Sequence, residues 1–139
     1  RRLNMTIKLC YKTYDWKISN GACRSFKEKT GKDLKGFFAS YIVASIKLNK
    51  DITIFERCEV FRGLHSVEDA CKAMLCVIEA AQDGVSLSEI EDGAERVSWS
   101  VNNKPDDLSE PWPIVILHLA LDINDYICKN LPVKKKAGT

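Results

Sequence analysis

The stretch CRSFKEKTGKDLKGFF, residues 23–38, decides how the rest of the chain is read. A Gly31-Lys32 pair stands between two charged, helix-forming segments. That arrangement belongs either to a phosphate-binding loop or to a hinge between helices. A phosphate loop needs Gly, four residues, then Gly-Lys-Ser/Thr, so that consecutive backbone amides cradle the anion. Here the position five before Gly31 is Phe26, and Lys32 is followed by Asp33, whose carboxylate repels a phosphate. Gly31 is therefore the left-handed residue that ends one helix, and the next runs from about Asp33 to Leu48.

Working outward, Ser19 or Asn20 caps the helix over residues 21–30. The helix after the hinge carries Leu34, Phe37, Phe38, Tyr41, Ile42 and Leu48 at three- to four-residue spacing, which is a core-facing stripe. Upstream, TIKLCYKTYDWKIS (residues 6–19) alternates with a period of two around a polar centre at Lys12-Thr13. Ile7, Leu9 and Tyr11, then Tyr14, Trp16 and Ile18, make an antiparallel hairpin. No Asn-Gly marks its turn, which leaves the register open. Downstream, Thr53 opens a short helix to about Arg62 that Gly63 breaks. Ser66 with Asp69 resembles a capping box for a helix to about Gln82, and Ser86 with Glu89 does the same for a helix to about Ser98. Residues 102–110, NNKPDDLSE, form a loop. A last helix starts near Pro111 or Pro113, both tolerated in a first turn, and ends near Asn130. The fold class expected is α+β: an N-terminal β-hairpin packed on a mainly α-helical single domain over residues 5–131. Residues 1–4, ahead of Met5, are read as vector-derived or otherwise non-native, and residues 132–139 as a basic tail.

The chain has 139 residues, 45% hydrophobic and 29% charged, an ordinary globular composition. Its net charge of +2 conceals a pattern, because five of the 21 basic residues lie at the extreme ends and leave 16 against 19 acidic ones. A body with a charge of about −3 speaks against a nucleic-acid partner, which calls for basic charge on the folded face. Thr6-Ile7-Lys8-Leu9 alternates where a leader would be continuously apolar. The longest apolar run, residues 114–121, is interrupted by His118 and falls well short of the ~20 residues that span a bilayer. No membrane partner is expected.

Enzymatic chemistry finds little support. Six cysteines occur without a Cys-x-x-Cys pair, and reduced, buried thiols are expected of them. His118, Asp122 and Asp125 share a polar stripe with Lys129 on the last helix, but three ligands from one helix make a strained metal site with no fourth partner. His65, at the Gly63–Ser66 break, has no third group at a recognisable spacing to orient it as the base of a cysteine nucleophile. Glu89, Glu91, Asp92 and Glu95 follow a capping serine, where the helix dipole favours acidic residues. Neither a catalytic residue nor a cofactor or metal is assigned. Tryptophan is enriched in binding hot spots, so Trp99 and Trp112, with Pro113, are the candidate partner-binding residues on either side of the acidic loop. The alternative is that both tryptophans anchor that loop to the core.

The hairpin leading into ISNGACRSFKEKTGKDLKGFFASYI (residues 18–42) resembles the opening of tail assembly chaperones from long-tailed bacteriophages and related gene transfer agents. Those proteins have a short strand pair, a small-residue turn into a helix ending in an EKTGK-like break, a second amphipathic helix, and a Thr- or Ser-capped helical half. VSLSEIEDGAERVSW (residues 85–99) and DDLSEPWPIVILHLALDIND (residues 106–125) also look like segments of phage tail-region proteins. The resemblance implies a small non-enzymatic protein of the infected host's cytoplasm, absent from the finished virion. Its partners would be the tape measure protein, whose apolar helices it keeps from aggregating, and the tail tube protein, with homo-oligomers possible. In many such families a ribosomal frameshift near the gene's end makes a longer product, and the Lys134-Lys135-Lys136 run is where a slippery stretch would be encoded; an ordinary solvated basic tail is the favoured alternative. The competing readings are a structural connector of the tail or head–tail region and a small regulatory binding protein.

Overall fold

A computed structural model describes residues 6–9, 12–95, 99–101 and 111–130. In chain order the elements are β1 (Thr6–Leu9), β2 (Lys12–Asp15), α1 (Asn20–Thr30), α2 (Leu34–Lys47), α3 (Ile54–Arg62), α4 (Val67–Glu79), α5 (Leu87–Glu95), β3 (Trp99–Val101) and α6 (Trp112–Asn130). The expected α+β class, a strand pair set on a mainly helical body, is what the chain adopts.

The helix starts follow from local side-chain chemistry. Ser19 Oγ accepts from the Ala22 amide at 3.1 Å, and Asp33 Oδ2 from the Gly36 amide at 2.8 Å. Thr53 and Glu56 form a reciprocal box: the Glu56 amide donates to Thr53 Oγ1 at 3.1 Å and the Thr53 amide to Glu56 Oε1 at 2.9 Å. Ser66 and Ser86 accept from the amides of Asp69 and Glu89. Between α1 and α2, Gly31 sits at φ 77°, and its amide closes the helix on Lys27 O at 2.7 Å. The hinge reading of Gly31-Lys32 holds.

Two strand expectations are corrected. The hairpin pairs Ile7 with Tyr14 and Leu9 with Lys12, so Lys12 and Thr13 belong to β2 and not to the turn. Both registers keep Ile7 and Tyr14 on one face, because partners and residues two apart point the same way; the alternation alone cannot choose between them. The chosen register buries both side chains. The other correction is β3. Trp99–Val101, expected outside any strand, pairs antiparallel with β1, giving the strand order β2-β1-β3, while α5 is described to Glu95 and its expected end near Ser98 lies outside the described residues.

The core is centred on α4 and α6. Every residue of α4 from Ala73 to Ile78 is buried, as are Ile114 to Leu117, Leu119, Ala120 and Ile123 of α6. A helix apolar on all sides must be surrounded. Here α1 and α5 pack on α4, and α2, α3 and β3 on α6. The Lys17 amide bonds Val77 O at 3.0 Å and the Asp15 amide bonds Gln82 Oε1 at 2.7 Å, which ties the hairpin to the end of α4. No helix among the described residues is long and apolar enough to cross a membrane.

Candidate functional site

The side of α2 opposite its core stripe is the first feature that packing does not explain. Leu34, Phe37, Phe38 and Tyr41 are buried, as their spacing requires. The opposite face holds Ala39, Val43 and Ile46 between Lys35 and Lys47, all exposed. A solvated helix face is normally polar; this one is apolar along its middle. Past the connection at residues 48–53, Ile54 and Phe55 begin α3. Ile46 is 77% exposed, Phe55 70%, Ile54 63% and Val43 49%. Single exposed apolar residues are ordinary, whereas a concentration of large ones in one short segment marks an interaction surface.

A second feature is a polar cluster around His65, in the turn between α3 and α4. His65 Nδ1 lies 3.1 Å from Lys32 Nζ and Nε2 3.0 Å from Ser40 Oγ, while Lys32 Nζ also reaches Asp69 Oδ2 at 2.7 Å. The ring leans on Phe37, centroid to centroid 4.4 Å. A serine, an imidazole and a carboxylate in one cluster invite a catalytic reading, but the hydrogen bonds in this arrangement run the other way. An ammonium can only donate, so Nδ1 must accept. The proton of the neutral ring then sits on Nε2 and is donated to Ser40 Oγ. Ser40 in turn donates its own proton to Phe37 O at 2.6 Å. Nothing in the cluster is placed to remove the serine proton, as a nucleophile would require. The cluster is a brace that joins the α1–α2 turn to the α3–α4 turn through α2. Burial, and then the Lys32 charge, hold the imidazole below its ordinary pKa, with Asp69 opposing. Beside it the Tyr41 hydroxyl is buried without a hydrogen-bond partner among the described residues, and burial pushes its pKa up.

The described cysteines do not join His65, whose two nitrogens are occupied by Lys32 and Ser40. Cys58, Cys71 and Cys76 are buried, Cys23 is half-buried and Cys128 exposed. Burial raises the Cys23, Cys58 and Cys76 thiols above their ordinary pKa, the wrong direction for a nucleophile. A cleft of about 250 Å³ between α4 and α5 is lined by Val67, Glu68, Cys71 and Glu91, a set that includes no basic side chain. Among the described residues no group of three or more His, Cys, Asp or Glu is placed to hold a metal ion. On α6, Asp125 is paired with Lys129 at 3.2 Å.

Of the three residues singled out for partner binding, Pro113 is buried in the first turn of α6, and Trp112 is half-buried against the core. Trp99 belongs to β3, where its backbone faces Leu9. The loop they were expected to flank, at residues 102–110, lies outside the described residues, as do the basic tail and Cys10. The outer face of α2, which periodicity missed, is a second candidate surface beside these residues. The signal was present as Ala39, Val43 and Ile46 lying off the core stripe, yet an apolar residue off the stripe looks the same whether covered or bare. Comparisons with protein-family models, with curated proteins and with solved structures found no match.

Proposed function

We propose that this chain is a non-enzymatic binding protein that holds apolar helical segments of a client against the outer face of α2 and the start of α3. The observation that carries the reading is the exposure of Val43, Ile46, Ile54 and Phe55 in one continuous segment of the chain. Helix-in-groove and helix-on-face recognition uses apolar anchors of this kind, spaced at three and four residues. The resemblance to tail assembly chaperones supplies the client: the phage tape measure protein, held in the host cytoplasm before the tail tube protein assembles around it. The client's identity comes from that resemblance, and the binding surface from the geometry.

Co-expression with a tape measure protein tests this reading. The tape measure protein is expected to become soluble and to co-purify with the wild-type chain, and to be lost from Ile46→Glu or Phe55→Glu. Both side chains are mostly exposed, so the substitutions leave the core untouched. A tape measure protein that stays insoluble beside the wild-type chain, or that co-purifies undiminished with both variants, overturns the proposal.

A further inference from the structure

We infer that the helix docking on the outer face of α2 is amphipathic, with its apolar stripe bordered on both sides by carboxylates. This deepens the proposed function and rests on it. The argument begins with the distribution of charge along α2, LKGFFASYIVASIK, whose only charged residues are Lys35 and Lys47. Successive residues of a helix are about 100° apart, which places Lys35 about 20° beyond Ile46 on one edge of the stripe and Lys47 about 40° beyond Val43 on the other. The lysines thus border the apolar stripe on opposite edges and at opposite ends. Among the described residues neither forms an ion pair, and neither does Lys50 just past the helix. Just ahead of the helix Asp33 is already used in capping the Gly36 amide, and Asp51, past its other end, is in no ion pair with these lysines among the described residues.

These charges select between occupants. A second copy of the chain, laying its own α2 on this one, would offer these lysines no carboxylate from that helix, because its only charged residues are again Lys35 and Lys47. A helix bordered by lysines along both flanks meets like charge at each edge. A helix bordered by glutamate or aspartate meets a cation on each side, and the lysine stems extend the apolar surface it covers. The stretch from Lys35 to Lys47 is about 18 Å long, which sets the occupant at three to four turns.

The test uses the full chain and two synthetic helical peptides about four turns long, with one leucine stripe and either glutamate or lysine on both flanks. Fluorescence anisotropy is expected to show the glutamate-flanked peptide binding about tenfold more tightly, the contrast that a few rim charges provide, with the advantage shrinking as salt is added. The double variant Lys35→Glu/Lys47→Glu should reverse the preference, and Lys35→Gln/Lys47→Gln should abolish it. Far-UV circular dichroism confirms that each variant is folded. Equal affinities for the two peptides, or an unchanged preference in both variants, overturns the inference. So does a wild-type dimer in sedimentation that Ile46→Glu dissociates. If neither peptide binds while the tape measure protein still co-purifies, the charge-flanked helix is wrong and the proposed function stands; if the client is lost as well, both fall.

Discussion

At the scale of single residues, His65 has the most to lose from a change in conditions. Its Nδ1 accepts from Lys32 only while the ring is neutral, and a proton there would set two cations 3.1 Å apart. Burial comes first and Lys32 second in holding its folded pKa below the ordinary value of 6.5. In the unfolded chain the ring takes up its proton near that ordinary value, so as the pH falls below it the unfolded state binds more protons than the folded one. The contribution of His65 to stability is therefore whole above about pH 6.5 and is lost as the pH falls through the lower folded value. Urea unfolding of the wild type and of His65→Gln, between about pH 7.5 and about pH 5, should show the wild type losing stability more steeply. Parallel curves would remove His65 from the acid sensitivity. Glu89 acts lower on the scale. The Tyr14 hydroxyl, donating at 2.6 Å, is the main cause holding its carboxyl below the usual 4.5, with Lys12 assisting at 3.2 Å. Its stabilisation is complete above 4.5 and disappears only as the pH falls through the depressed folded value, so the two groups are separable.

At the scale of elements, the stops and starts of helices are where sequence and structure agree most closely. A cap is a bond between a side chain and an amide two or three residues away, so all of its partners are visible in the sequence. Gly31 is the sharpest case. A Cβ built there meets nothing within 4 Å, which leaves the positive φ of 77° as the whole obstacle to any other residue. Gly31→Ala should cost about 1–2 kcal/mol, the intrinsic penalty of an L-residue in the left-handed region, and Gly31→Asn distinctly less. Equal losses from both in thermal unfolding would mean that packing, not backbone conformation, fixes the glycine. The strands were less legible because their partners are remote. The choice between hairpin registers depends on which one buries Ile7 and Tyr14 against helices far along the chain, and β3 exists because β1 offers it an edge more than 80 positions upstream. A three-residue strand has no period of its own to read.

At the scale of the whole molecule, the question is why an apolar face stays bare when the chain has so much core to build. Core demand is met without it: α4 and the first half of α6 are enclosed, and Phe37 meets Phe26, Phe38 and Tyr41 at 5.3 to 5.4 Å on the inner side of α2. Sequence reading found that inner stripe, because Leu34, Phe37, Phe38 and Tyr41 recur at helical spacing, but it had no means of seeing that the opposite side would be left without a cover. Exposure is a property of the finished packing. If Val43, Ile46 and Phe55 serve binding and not folding, replacing all three with serine should change stability little, since surface substitutions away from packed features stay within about 0.5 kcal/mol each. The same variant should lose most of its binding of a hydrophobic dye and resist aggregation at high concentration. Phe61→Ser, in the same helix as Phe55 but fully buried, supplies the contrast. Removing a buried phenyl ring costs about 3–5 kcal/mol, a large share of the about 5–15 kcal/mol that holds such a domain together. A triple variant that unfolds as readily as Phe61→Ser would show that the face is part of the folding core. A triple variant that keeps its midpoint and sheds the dye would leave the outer face of α2 with no role in holding the chain together, and recognition as its remaining use.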